Sequence, residues 1–229
     1  MLLPRPIFSI LFGILIFGCA HASTEVTVLG ADGFPDIWWQ AVPQAQLPGW
    51  EIPPQSADRT KGEVILSKRN ELGRFSNLGN AGFTLDGDTY GSVEGLWQGM
   101  KYPETNNDER IKDGVVWPFT RAQVMAMAGF DAKHAGDLAN AIMKQLGIKW
   151  ITYHGEKIIY NGPDAEKHYE LILRACRAKL DQNPDLKSLL LSTKNLVFFA
   201  DHKQAPDSLP SYKYHEIYMK LRAELQSQH

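Results

Sequence analysis

Apolar residues follow three patterns along this chain. An almost unbroken run, Ile7-Phe8-Ser9-Ile10-Leu11-Phe12-Gly13-Ile14-Leu15-Ile16-Phe17, stands near the start. Short runs rich in β-branched and aromatic residues come later: Val64-Ile65-Leu66, Phe83-Thr84-Leu85 and Leu196-Val197-Phe198-Phe199. Each predicts a short strand. Trp150-Ile151-Thr152-Tyr153 and Lys157-Ile158-Ile159-Tyr160 flank His154-Gly155-Glu156 and predict a hairpin. The third pattern is helical. Tyr169, Ile172, Leu173, Cys176 and Leu180 share one face, and so do Tyr214, Ile217, Tyr218, Leu221 and Leu225. Leu186, Leu189 and Leu190 predict another helix, with Pro184 at its start.

Punctuation residues set the boundaries. Asp86-Gly87-Asp88 is a turn signal. Ser92 predicts an N-cap for a helix to about Lys101, stopped by Pro103, with a polar loop over 104–114. Thr120 and Gln123 form a capping-box pattern for a helix through Ala128. Asp131 is expected to cap a further helix ending at Gly147, and Pro163 to sit in the first turn of the next. Residues 23–62 are rich in Pro, Gly and Trp, with Val26-Thr27-Val28-Leu29 as a short strand. The arm wraps the main body and buries Trp38, Trp39 and Trp50, or it presents an aromatic platform for a sugar or base. Buried aromatics are the commoner finding, so the wrapping arm is expected. The fold class is α+β: a mostly helical single domain over 63–229 with a few short strands, preceded by the arm.

The first apolar run is too short to span a bilayer. Arg5 before it and Ala20-His21-Ala22 after it make residues 1–22 a cleavable signal peptide. Ile16-Phe17-Gly18-Cys19 is a second reading, a lipid-anchor site at Cys19, ranked lower because Phe17 is bulky for its position. The expected location is therefore exported, periplasmic or secreted. Removing the leader lowers the net charge from −2 to about −3, against non-specific nucleic-acid binding. No later segment is apolar for long enough to span a membrane. Cleavage after Ala22 leaves Cys176 as the one cysteine, so no internal disulfide forms.

Most motifs fail. Asp86 to Gly91 starts like a calcium loop, but Tyr90 and Trp97 stand at ligand positions. His215-Glu216 lacks the second histidine of a zinc helix, because position 219 is Met. No metal or cofactor is expected. One segment stands apart: Glu94, Trp97, Gln98 and Lys101 fall on one helical face. A carboxylate, an amide, an ammonium and an aromatic ring suit a site. They equally suit a solvated face with Trp97 tucked inward. Gly95 and Gly99 on the same helix point to close packing.

Gly73-Arg74-Phe75-Ser76-Asn77-Leu78 and Ser92-Val93-Glu94-Gly95-Leu96-Trp97-Gln98-Gly99-Met100-Lys101-Tyr102 resemble two motifs of the NADAR (YbiA-like) family of N-glycosidases, G-x-F-S-N-F and S-x-E-H-Y-F-Q-A-x-K-F. Between them, Phe83 to Tyr90 is similar to the family's strand and turn. Ala175 to Lys179 with Gln182-Asn183-Pro184, Leu189 to Thr193, and Met219 to Arg222 resemble later blocks. The resemblance spans residues 63–226. Gly95-Leu96 stands where the family has His-Tyr, and the family's late W-G and N-x-L-G are absent.

The resemblance implies hydrolysis of an N-glycosidic bond in a ribosylated nucleotide, such as a riboflavin-pathway intermediate or an ADP-ribose conjugate. Glu94 matches the family glutamate, expected to stabilise the sugar cation or activate water. Asp201 falls near a late family acid. Asn77 is expected to meet a ribose hydroxyl or to serve a turn. Trp150 is expected to stack on the base or to be a core residue. Lys101 is expected to hold a phosphate or pair with an acid, with Trp97 and Gln98 beside it. The alternative is a non-catalytic binder of nucleotide or ADP-ribose in the cell envelope, or a scaffold that uses the arm as its contact surface. N-terminal sequencing of the native protein is expected to begin at Ser23, or to find a lipidated Cys19. Recovery of intact Met1 would overturn this.

Overall fold

The computed structural model describes residues 29–228, so the expected leader and the Val26–Val28 part of the expected first strand lie outside the described residues. Leu29 makes an isolated bridge to Pro35. Six strands and six α-helices follow: β1 Glu63–Ile65, β2 Phe83–Leu85, β3 Asp88–Tyr90, α1 Val93–Gly99, α2 Arg121–Met125, α3 Gly129–Gln145, β4 Ile151–Tyr153, β5 Glu156–Ile158, α4 Ala165–Asp181, α5 Pro184–Ser192, β6 Val197–Phe199 and α6 Tyr214–Gln226. The class is α+β.

The strands pair as three two-stranded sheets. β1 and β6 run parallel, in register from Glu63 with Val197 to Ile65 with Phe199, although well over a hundred residues separate them in sequence. The other two are hairpins with two-residue turns. Asp86 and Gly87 have φ of 51° and 92°, and His154 and Gly155 have 48° and 79°. Both central residues are left-handed, which suits the twist of a tight hairpin. The turn signals thus sit one residue tighter than the sequence suggests: Asp88 and Glu156 already belong to strands.

Helix starts follow their caps where caps exist. Ser92 Oγ accepts from Gly95 N at 2.9 Å, and Thr120 with Gln123 closes a reciprocal capping box. Two expectations fail. Asp131 does not cap α3, which begins earlier, at Gly129, where a φ of 62° turns the chain into the helix. Asp131 lies in the first turn, where a carboxylate still favours the helix dipole. Pro163 lies ahead of α4, because Asp164 turns its carboxylate back to Ile159 N at 2.8 Å.

α4 crosses the middle of the molecule. Its Leu171, Ile172, Cys176 and Leu180 pack with Phe75, Leu96, Phe198 and Tyr218 in one core. Burial pushes the Cys176 thiol up to about 11, as expected of an inert structural cysteine. The arm covers one side of this core. Trp38 is buried and donates to Glu71 Oε1 at 2.5 Å, while Trp39 donates to the Glu63 carbonyl at 2.8 Å. Trp50 does not follow them; it is 46% exposed.

The polar 104–114 loop hides a buried cation. The Arg110 guanidinium is fully buried and donates to both Asp108 oxygens, the Met100 carbonyl and Thr152 Oγ1. Four of the five N–H donors of its fork are engaged there, which is why a charge is tolerated inside.

His168 on α4 is buried among the rings of Trp97, Tyr160 and Tyr212, with centroids 4.5, 5.7 and 6.1 Å away. Neither ring nitrogen has a partner. Burial, helped by the Lys101 charge, lowers its pKa from 6.5 to about 4. The unfolded chain therefore binds a proton at this residue between those values when the folded chain does not. The associated stability is complete above pH 6.5 and is lost as pH falls toward 4, by about 3 kcal/mol. His168→Phe is expected to lose about that much less stability than wild type over this pH window, measured by urea unfolding. Equal acid sensitivity of the two proteins would refute the assignment.

Candidate functional site

A cavity of about 540 Å³ opens between α1, the chain segment 76–78, the first turns of α3, the arm and the 202–212 loop. Its size suits a nucleotide-like small molecule. Glu94, in the first turn of α1, lines it together with Asn77 and Trp97. The backbone joins the first two: Glu94 N donates to the Asn77 carbonyl at 2.9 Å.

α1 holds Glu94 through two close approaches. A Cβ on Gly95 would stand 2.5 Å from the Met127 carbonyl oxygen, so only glycine lets α1 lie against the α2–α3 connection. This explains why a larger residue is missing there. One turn on, Gln98 is buried and donates from Nε2 to Glu94 Oε1 at 2.6 Å. Its amide fills the space left by Gly136 on α3, where a Cβ would lie 1.9 Å from Gln98 Oε1. Burial raises the Glu94 pKa, opposed by the Gln98 hydrogen bond and by the Lys101 charge. Lys101 is itself buried, with Nζ 4.6 Å from the Trp97 ring centroid and its pKa lowered to about 8.

The site residues expected from sequence thus divide into groups. Asn77, Glu94 and Trp97 face the cavity. Gln98 stands directly behind Glu94, and Lys101 stands behind Trp97, outside the lining. Asn77 Oδ1 is buried without a partner and faces away from the cavity space, so the amide N–H end of the side chain is the part left for a ligand. Trp150 is not in the lining. It sits against Arg110 and Lys157, at 4.9 and 4.5 Å, on the side of the β4–β5 hairpin. Its stacking role is corrected accordingly: a tryptophan at a strand start met the cations of its own hairpin and of the 104–114 loop.

Asp201 needs a different correction. Its side chain is fully buried just beneath the cavity wall and does not line it. One oxygen pairs with Lys68 Nζ; the other accepts from the Tyr214 hydroxyl at 3.2 Å and meets His202 Nδ1 at 2.9 Å. Lys68 and His202 hold the carboxyl below its usual range despite burial. A carboxylate so fully engaged orients its neighbours and does not touch a ligand.

Other lining residues left no clear signal in the sequence. Lys133 is an i,i+4 partner of Asp137 at 2.8 Å, indistinguishable on paper from a surface pair. Phe130 and Lys68 belong to no motif. Lys179, in the A-x-x-x-K block, is fully buried, and its ammonium donates to the carbonyls of Arg74 and Ser76 at 2.6 and 3.1 Å. It thereby fixes the turn that delivers Asn77.

No cluster of three or more His, Cys, Asp or Glu among the described residues could hold a metal ion. No protein-family profile matches the chain, and a search of curated proteins finds no match. Among solved structures the chain is similar to the NMR structure of the E. coli protein YbiA, with 18% identity over 72% of this chain and 86% of that one, at a TM-score of 0.45.

Asp201→Asn is expected to destabilise the protein by about 2–3 kcal/mol, less than the roughly 3–5 of a fully enclosed pair because Lys68 reaches solvent. Because the native carboxyl lies below its unfolded value, the wild-type advantage holds at neutral pH. It fades as pH falls through the carboxylate range. Denaturant titrations at two pH values check both; an undiminished gap at low pH would contradict the assignment.

Proposed function

We propose that the protein hydrolyses an N-glycosidic bond in a ribosylated nucleotide or ADP-ribose conjugate, with Glu94 as the key carboxylate. The observation that carries this reading is that Glu94 and Asn77 stand side by side in one cavity wall. Both fall at positions where the sequence resembles the NADAR family. A sugar hydroxyl that accepts from the Asn77 amide N–H sets the ribose beside Glu94. Water then attacks the anomeric carbon, the carbon–nitrogen bond breaks, and its electron pair leaves with the base. The proton released by water passes to Glu94 and on to the departing nitrogen. Burial raises the affinity of Glu94 for that proton, which strengthens it as a base. Negative charge at Glu94 also stabilises the cationic sugar of the transition state. Gln98 positions the carboxylate, and Lys101 limits how far its pKa rises.

A second reading draws on a specific observation. Among the described residues, Glu94 is the one carboxylate in the cavity lining. Glycosidases that use two carboxylates would place a second acid there. A pocket with a single acid also suits a binder of nucleotide or ADP-ribose that does not turn it over. Under both readings the leader places the protein outside the cytoplasm. No helix among the described residues is long and apolar enough to cross a membrane.

Incubating the protein with ribosylated nucleotides and following free base by mass spectrometry separates the two. Under the hydrolase reading, Glu94→Gln lowers turnover by about a hundredfold to ten-thousandfold. Its melting temperature and ligand affinity stay near wild type. Unchanged turnover in that variant excludes Glu94 as the catalytic carboxylate. Binding without release of base by the wild type establishes the binder.

A further inference from the structure

The geometry points to a stacking site at the mouth of the cavity, built by Trp50 of the arm and Phe130 of α3, that selects ligands carrying a planar heterocycle. This inference rests on the reading of the cavity as a nucleotide-type pocket and assigns its base-recognition end.

Trp50 and Phe130 both line the cavity, and they are 46% and 59% exposed. Their ring centroids are 6.4 Å apart at 62°. Large aromatic rings are usually covered, as the 1% exposure of Trp38 in the same arm illustrates. Two touching rings left open at the rim of a cavity form a surface that a ligand can cover. Their steep mutual angle makes a wedge: a flat ring that lies on one face meets the other edge-on. A planar heterocycle makes both the stacked and the edge-to-face contact at once, so the wedge favours it.

Trp50 is exposed but held. Glu51, next in the chain, takes two hydrogen bonds from the Arg69 guanidinium at 2.8 and 2.7 Å and bridges to His202. Ile52 N donates to the Asp201 carbonyl at 2.7 Å. Lys68 Nζ stands 5.4 Å from the Trp50 centroid and is anchored by Asp201. With the chain around Trp50 fixed in this way, little backbone freedom is left to lose when a ligand stacks on the ring.

The cavity is also polarised from floor to mouth. Glu94 and Asn77 supply carboxylate and amide at the sugar end, and Trp50 and Phe130 supply rings at the other. Of the lysines in the lining, Lys68 and Lys133 are paired with Asp201 and Asp137, and Lys203 balances the Glu94 carboxylate. The ligand class is therefore a planar base joined to a sugar. Trp50 belongs to the arm, outside the 63–226 stretch that resembles the NADAR family. Selectivity at the mouth is accordingly a property of this chain's own arm.

The test compares ligands that differ by the base alone. Calorimetric titrations of the leader-free chain use AMP, GMP, CMP and UMP against ribose 5-phosphate, with wild type, Trp50→Ala, Trp50→Phe and Phe130→Ala. At least one nucleotide is expected to bind wild type more tightly than ribose 5-phosphate. Trp50→Ala and Phe130→Ala are each expected to weaken that nucleotide by about tenfold to a hundredfold. Affinity for ribose 5-phosphate stays within about twofold, and Trp50→Phe retains most of the nucleotide affinity. Binding of none of the four nucleotides by wild type overturns the assignment. So does equal weakening of both ligand types, or unchanged nucleotide affinity in the two alanine variants. Should one variant fail to fold, the other carries the comparison. Base-dependent binding without release of base leaves the stacking site standing and excludes these four nucleotides as substrates of the hydrolase. Base release with an unchanged KM in Trp50→Ala removes the stacking site alone.

Discussion

The buried carboxylate of Asp201 ties four segments into one wall. Its side chain engages Lys68 from the turn after β1, His202 beside it, and Tyr214 at the start of α6. Its carbonyl accepts from Ile52 of the arm. A lone carboxylate would be expensive to bury, and each of these partners reduces that penalty. The same bonds decide where the cavity lies. Lys68, His202 and Tyr214 all reach its lining, and the arm is drawn close enough for Trp50 to form the rim.

The opposite wall depends on an absence of side chains. α1 approaches the α2–α3 connection across Gly95 and receives Gln98 against Gly136 of α3. This close packing converts a seven-residue helix, far too short to be stable alone, into a rigid mount for Glu94. Lys179 completes it from below by holding two carbonyls of the turn before Asn77.

The two acids of this region are driven apart by their surroundings. Glu94 meets one amide and a distant ammonium, so burial prevails and its pKa rises. Asp201 is buried as well, but a lysine and a histidine hold it ionised. Acids separated in this way take different tasks. Here the raised one faces the cavity, and the lowered one organises its frame.

Local signals were legible in the sequence because they act over a few residues. The Ser92 cap, the Thr120 and Gln123 box, the left-handed turns at Gly87 and Gly155, and the apolar faces of α4 and α6 all state their structure within one or two helical turns. They sufficed for the α+β class and for placing Glu94, Trp97 and Gln98 on one helix, whereas Lys101, expected on the same helix, lies beyond its end at Gly99. Only the tertiary structure decided which of those residues meet a cavity. Trp150 and Trp50 look alike on paper, each near the edge of a short extended segment. One was captured by Arg110 and Lys157, and the other was pinned by Glu51, Ile52 and Lys68 at the cavity mouth. The parallel pairing of β1 with β6 and the burial of Asp201 depend likewise on partners far away in sequence. No local spacing encodes such contacts, because they exist only once the chain has closed around its core.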